Sequence, residues 1–86
     1  MPRYTMLIAP GAERKLAALD KPIQRRVAAR IDSLAENPRP AGVKMLHGKA
    51  NTWRLRVGDY RILYTIEDNR LVVLVIKIGH RREVCR

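Results

Sequence analysis

The chain has 86 residues, enough for one domain with a modest hydrophobic core. Its 18 lysines and arginines against 8 aspartates and glutamates give a formal net charge of +10. This excess indicates a polyanionic partner such as RNA, DNA or an acidic protein, although a basic surface that serves only solubility is an alternative. The single cysteine, Cys85, excludes an intramolecular disulfide. Because the chain has neither a signal-peptide pattern nor an apolar run long enough to cross a membrane, we expect a cytoplasmic protein.

The first half predicts one strand followed by two helices. Residues 4–9 are apolar and rich in strand formers, and the Pro-Gly pair after them is expected to end this strand. Residues 12–19 predict a short helix. Asp20 is suited to cap a second helix, whose apolar residues recur at three- and four-residue spacing and which ends before Pro38. Three arginines fall off this apolar stripe: Arg25, Arg26 and Arg30. They could bind an anion, but a solvated basic face is the more common explanation.

The second half predicts three strands. Residues 52–57 and 60–66 flank a Gly-Asp pair that suits a tight turn. Residues 71–78 begin with six apolar positions, so we expect an interior strand that is covered on both faces and ended by Gly79. The order β-α-α-β-β-β predicts an α+β fold, with a two-helix hairpin packed on one face of a mostly antiparallel four-stranded sheet. We interpret residues 1–86 as a single domain.

The one long irregular stretch, residues 37–48, contains two prolines and two glycines. It carries basic side chains at Lys44 and His47, and Lys49 follows directly after it. A surface loop and a loop that borders a functional site are equally good interpretations.

The first predicted hairpin concentrates positive charge. Strand side chains alternate between faces, so Leu55 and Val57 face the core while Arg54 and Arg56 lie on the other face, about 6.6 Å apart. Arg61 follows just after the turn. Three fixed positive charges in one small region of a rigid scaffold favour phosphate binding.

Other site chemistries find little support in the sequence. The only serine lies inside the second predicted helix, and no glycine-rich phosphate loop is present. His47, His80 and Cys85 are too few and too poorly spaced for a zinc site, so we expect no metal and no cofactor. The alternative for single arginines is a surface ion pair, as between Arg56 and Asp59, which contributes about 0–1 kcal/mol.

The chain carries a group of motifs that together cover most of its length. They are W-R-L-R-V-G-D-Y-R-I-L-Y at 53–64, the apolar strand after it, and G-H-R-R-E-V-C-R at 79–86. With the element order and the charge, they resemble the RelE/ParE superfamily of bacterial and archaeal toxins from toxin–antitoxin pairs. The resemblance implies the RelE fold.

The resemblance to RelE also implies a reaction. RelE-like members enter the ribosomal A site and cut messenger RNA, as a ribose 2′-OH attacks the adjacent phosphate without a metal. Negative charge builds on the phosphoryl oxygens, which preorganised cations stabilise. The family's basic active-site positions correspond to Arg54, Arg56, Arg61 and Arg81. By this resemblance Arg61 and Arg81 hold the scissile phosphate, while the other two hold the RNA backbone and assist proton transfer.

Two departures from the family pattern are visible. The family often has lysine where this chain has Arg54 or Arg56, and arginine essentially cannot give up its proton. His80 is the candidate substitute for proton transfer, with a binding role as the alternative. Cys85 stands where the family commonly has tyrosine. Further RNA contacts are expected from Lys44, His47, Lys49, Arg82 and Arg86.

The resemblance implies partners as well as chemistry. They are the ribosome with its messenger, and a cognate antitoxin on a separate chain (RelB-like or other) that covers the arginines in a hetero-oligomer. One alternative function is that of ParE-like toxins, which inhibit DNA gyrase and cut nothing. Another is a non-catalytic RNA-binding module. The arginines favour the nuclease, whereas the missing tyrosine favours the gyrase inhibitor.

Overall fold

The computed structural model describes residues 3–80 and shows two helices against one five-stranded sheet. In chain order the elements are β1 (Thr5–Ile8), α1 (Pro10–Ala18), α2 (Lys21–Ser33), β2 (Lys44–Met45), β3 (Thr52–Val57), β4 (Tyr60–Glu67) and β5 (Val72–His80). The sheet order is β1-β5-β4-β3-β2, in which only the β1–β5 pair is parallel. The predicted α+β fold with a mostly antiparallel sheet is confirmed. No helix in this range is long and apolar enough to cross a membrane.

The predicted count of four strands was wrong by one. Lys44 and Met45 pair with Arg54 and Trp53 and form the short edge strand β2. A two-residue strand is too short to show the alternation by which strands are recognised in a sequence. The irregular stretch therefore approaches the sheet more closely than a surface loop would.

Two boundary predictions were wrong, and one capping residue lies where predicted without its capping bond. Pro10 and Gly11 begin α1 instead of separating it from the strand, because proline at the first helical position loses no intrahelical hydrogen bond. Asp20 occupies the N-cap position of α2 as predicted, but its side chain makes no capping hydrogen bond. Gly79 does not end the last strand, which continues through His80.

The core lies between the helices and one face of the sheet. Helix α2 buries Val27 and Ile31 there. The prediction that β5 is an interior strand is confirmed, since it lies between β1 and β4. Its two faces are not equally covered: Val73 and Val75 are fully buried, whereas Ile76 is 36% exposed.

A cluster of polar side chains fastens the segment after α2 to the far end of the sheet. The guanidinium of Arg39 donates two hydrogen bonds, of 3.2 and 2.9 Å, to the carboxylate of Asp68. The hydroxyl of Tyr4 donates to the same carboxylate at 2.5 Å. Arg39 also lies 5.3 Å from the ring centroid of Trp53, within cation–π range. One arginine thus joins β3, the turn before β5 and the start of β1.

A buried hydrogen bond also holds the segment after α2 against the sheet. The hydroxyl of Tyr64, a fully buried residue, donates to the carbonyl oxygen of Pro38 at 2.7 Å. Burial raises the pKa of Tyr64 to about 12, so the group stays protonated and remains a donor. Because an unpaired buried polar group is unfavourable, this bond fixes where residues 38–43 pass along the sheet.

The Asp68 contacts predict a specific acid sensitivity. The hydrogen bonds from Arg39 and Tyr4 lower the pKa of Asp68 from 3.8 to about 2. A pKa lowered by folding adds stability above its unfolded value, and that stability is lost as the pH falls from about 4 to about 2. We therefore expect Asp68→Asn to be less stable than wild type at pH 7. Between about pH 4 and about pH 2, its free energy of unfolding should change less than that of wild type. Urea midpoints measured from pH 2 to pH 6 test this.

The control is Asp32→Asn, which removes an exposed carboxylate that forms no ion pair within residues 3–80. This variant should keep the wild-type slope between pH 2 and pH 4. Equal slopes in wild type and Asp68→Asn would contradict the assignment of this acid transition to Asp68.

Candidate nucleic-acid interface

The sheet face opposite the helices carries the predicted arginines in two rows that run across the strands. One row is Lys44, Arg54, Leu63 and Lys77, and the other is Arg56, Arg61 and Gly79. Residues in register on neighbouring antiparallel strands project to the same face, with strands about 4.8 Å apart and the two rows about 6.6 Å apart. We call the cations of these rows the cation face: Lys44, Arg54, Arg56, Arg61 and Lys77.

Arg61 occupies the middle of the second row. It lies on the interior strand β4, between Arg56 on one side and Gly79 on the other. Gly79 adds no side chain beside Arg61, and its backbone is itself buried. The Nε atom of Arg61 is buried and has no hydrogen-bond partner among the described residues. Because buried donors are normally paired, this one calls for an acceptor that lies beyond residues 3–80.

The positive charges of the cation face are not neutralised within residues 3–80. Ion pairs in this range include Arg3–Glu36, Arg39–Asp68 and Arg70–Glu67, none of which involves the cation face. The alternative pair between Arg56 and Asp59 does not form. Instead, Arg56 Nε donates to the carbonyl oxygen of Gly58 at 3.3 Å. Several unpaired cations held on a rigid sheet suit an anionic ligand.

A groove of about 280 Å³ borders the first row at the β2 edge. It is lined by Lys44, Met45, Leu46, His47 and Arg54. Two residues of the predicted RNA-contacting loop, Lys44 and His47, therefore come together with Arg54. The third, Lys49, is exposed in the same loop and does not line the groove.

The structure does not bring His80 to the cation face. His80 pairs with Tyr60, and their rings meet edge to face with centroids 5.6 Å apart. Tyr60 lies opposite Val57, whose side chain is in the core, so both rings are on the helix side of the sheet. The reason is a β-bulge at Ile76, where the register shifts by one residue and the following side chains change faces. The His80 ring therefore lies away from the cation face, and its catalytic role stays a prediction.

The same bulge brings a cation to the face that the sequence reasoning missed. Lys77 lies directly opposite Leu63 and extends the first row. The signal available in the sequence was its position between two apolar residues, Ile76 and Ile78, as expected for a strand residue that faces away from the core. Four predicted site residues lie outside the described residues: Arg81, Arg82, Cys85 and Arg86.

The comparison with known families decides which class of protein carries this face. The chain matches the model of the ParE toxins of type II toxin–antitoxin systems (parDE) over residues 6–85. The chain belongs to this family. It is similar to the toxin RelG of Mycobacterium tuberculosis, with 30% identity over 84 residues that cover 96% of this chain and 97% of that protein. The ParE family match and the similarity to RelG both fall within the RelE/ParE superfamily, so the superfamily predicted from the sequence is confirmed.

Solved structures agree with this family. The archaeal RelE–RelB complex of Pyrococcus horikoshii contains a chain that matches with a TM-score of 0.82 and 29% identity, covering 94% of this chain and 97% of that one. The toxin–antitoxin complex RelBE2 of Mycobacterium tuberculosis matches with a TM-score of 0.79 and 31% identity, covering 92% and 99%. The protein is thus a RelE-like toxin of a toxin–antitoxin system, and the cation face lies on the sheet that this fold provides.

Proposed function

We propose that this toxin is an endoribonuclease that cuts messenger RNA in the ribosomal A site and so inhibits translation. The observation that supports this most directly is the position of Arg61. It stands between Arg56 and Gly79 on the cation face, with a buried Nε that has no acceptor among residues 3–80. A phosphate oxygen is an acceptor of the right charge, and the guanidinium fork can bind two such oxygens at once.

The proposed reaction is an in-line displacement at phosphorus. The ribose 2′-oxygen forms a bond to the adjacent phosphorus while the bond to the 5′-oxygen breaks; the 2′-OH gives up a proton and the leaving oxygen takes one. Such reactions depend mainly on positioning and on stabilising the charge of the phosphoryl oxygens. Arg61, with Arg81, supplies this charge in place of a metal ion. Arg54 and Arg56 hold the RNA backbone from the neighbouring strand β3.

Proton transfer is a separate matter from charge stabilisation. Arginine keeps its proton, so Arg54 and Arg56 act here as fixed cations and hydrogen-bond donors and not as bases. His80 lies on the helix side of the sheet with its ring against Tyr60, and its part in proton transfer stays a prediction from the resemblance. The proposed rate acceleration therefore rests on orientation and charge, which the rigid rows of the sheet provide.

We also propose an antitoxin partner. Two matching structures are RelE–RelB and RelBE2 toxin–antitoxin complexes, in which the toxin chain is accompanied by an antitoxin. The cation face has no neutralising carboxylates among residues 3–80, so a separate antitoxin chain with acidic side chains would complement it. A cytoplasmic hetero-oligomer of toxin and antitoxin follows from this proposal.

One observation favours a second candidate function. The family model that matches residues 6–85 is that of ParE toxins, and the resemblance to ParE implies inhibition of DNA gyrase without cleavage. The cation face argues for the nuclease, since a gyrase inhibitor does not need paired rows of arginine on an open sheet. A non-catalytic RNA-binding module would bind RNA and leave the messenger intact.

Translation in a purified cell-free system, followed by primer extension on the messenger, tests the proposal. Added toxin is expected to produce cuts only when ribosomes are present. Intact messenger with normal translation would contradict the nuclease proposal. DNA supercoiling by purified gyrase is measured in parallel, and inhibition there with an uncut messenger would establish the second candidate instead.

A further inference from the structure

A second group of arginines lies beyond the end of β2. The short strand pairs with β3 only at Trp53 and Arg54, so the rest of β3 has no strand neighbour on that side. An open groove of about 450 Å³ occupies this edge. We call it the edge groove, and it is lined by Arg30, Ala41, Gly42, Leu55, Arg56 and Gly58.

Arg30 and Arg56 line the edge groove, and Arg26 lies against Gly58 at its border. Arg26 and Arg30 are four residues apart and therefore share one side of α2. The terminal nitrogens of Arg26 lie 3.8 and 3.9 Å from the position that a Cβ on Gly58 would take, so Arg26 rests against the hairpin turn. Arg56 donates from Nε to the carbonyl oxygen of Gly58 at 3.3 Å, which anchors its guanidinium at the same turn.

Within residues 3–80 no carboxylate neutralises these arginines. None of Arg26, Arg30 and Arg56 forms an ion pair among the described residues. Two like charges four residues apart also weaken a helix. A solvated basic helix face would explain exposed arginines, but it does not explain why Arg30 and Arg56, from different elements, line one groove. An anion in the groove would supply a countercharge.

We propose that the edge groove binds a backbone phosphate of RNA as a second anchor beside the cation face; this rests on the proposed function. Arg56 belongs to both surfaces, so an RNA strand that leaves the cation face across the hairpin turn passes directly to Arg30 and Arg26. Contacts of guanidinium groups with phosphate position a strand without reading its sequence. The groove therefore contributes affinity and register, and the reaction stays at Arg61.

The salt dependence of RNA binding tests the anchor. The probe is a fluorescent single-stranded RNA with 2′-O-methyl groups, which cannot be cut, titrated by anisotropy at several KCl concentrations. Each phosphate contact on a single strand contributes about 0.7 to the slope of log K against log salt. We expect the double variant R26Q/R30Q to lower the slope by about 0.7. The variant R26K/R30K keeps the charge and should restore most of it.

A matched control comes from the same helix. K21Q/R25Q removes the same charge from two exposed residues at the same four-residue spacing, and neither lines the edge groove. Its slope should stay near that of wild type. Equal losses in the two double variants, or an unchanged slope in R26Q/R30Q, would overturn the proposal. This measurement requires no cleavage, so it still tests the RNA anchor if the nuclease proposal fails.

Cutting on programmed ribosomes separates an anchor from a catalytic role. R26Q/R30Q should need more toxin for half-maximal cutting while reaching the wild-type rate at saturation. A lower rate at saturation, with no change in the half-maximal concentration, would count against an anchor.

Discussion

Replacing Arg61 with alanine is expected to lower the rate of messenger cleavage by roughly 10²–10³-fold, the usual effect of removing one donor that stabilises transition-state charge. Arg61 is fixed on an interior strand, and its buried Nε has no acceptor among the described residues. On the β5 side, Gly79 offers no side chain to take its place, and on the β3 side Arg56 is engaged with the carbonyl oxygen of Gly58. The measurement is the single-turnover rate of cutting on programmed ribosomes at saturating toxin.

Two further variants separate charge from geometry. Arg61→Lys keeps a positive charge but loses Nε and the planar fork, so it should recover only a small part of the rate. Arg70→Ala removes a cation whose partner is Glu67, at 3.1 Å, in the turn at the other end of β4. It should cut at the wild-type rate. Cutting by a folded Arg61→Ala protein at the wild-type rate would refute the role assigned to Arg61.

The part of the site on β3 could be predicted from sequence because it depends on alternation alone. Leu55 and Val57 are buried in the core, while Arg54 and Arg56 lie on the opposite face of the sheet, because strand side chains alternate between faces. The turn at Gly58 has a positive φ of 59°, which glycine adopts readily, so the position of the hairpin was also fixed locally.

The β5 side of the site could not be predicted in the same way. Val73 and Val75 are buried, and strict alternation from them would bury Lys77 and send His80 to the arginine face. The bulge at Ile76 reverses both assignments. A bulge depends on how two strands fit together, and the one local hint is a lysine, Lys77, where alternation from Val75 would place a buried residue. A shift of one residue thus decides which β5 side chains face the arginines.

The edge groove could not be predicted from the sequence either, although the arginines of α2 could be identified there. Arg25, Arg26 and Arg30 all lie off the apolar stripe of α2, and the sequence does not rank them. The packing of α2 against the hairpin turn distinguishes Arg26, whose guanidinium lies near Gly58, from Arg25, whose atoms are not among those nearest Gly58; Arg30 lines the groove itself. Long-range packing, and not local propensity, decides which arginines converge.

The largest expected effect on stability is that of Ile62→Ala. Ile62 is fully buried on β4, between Leu55 of β3 and Ile78 of β5, and directly follows Arg61. Cutting back a buried isoleucine to alanine typically costs about 2–5 kcal/mol, from lost burial and the cavity left behind. A domain of this size has only about 5–15 kcal/mol in total. Each kcal/mol lost lowers the melting temperature by about 4–8 °C. Urea midpoints and thermal melts measure this loss.

Ile76→Ala removes the same atoms from the bulge of the neighbouring strand, where the side chain is 36% exposed. Its cost should be smaller, about 1–2 kcal/mol, since part of this side chain is already exposed to water in the folded protein. Similar losses in the two variants would mean that the core does not extend beneath the arginine rows. If Ile62→Ala is much less stable than Ile76→Ala, the fixed spacing of Arg56 and Arg61 depends on packing from the helix side. Cleavage by Ile62→Ala should then fail at lower temperature than in wild type, while below its melting transition the rate stays near normal.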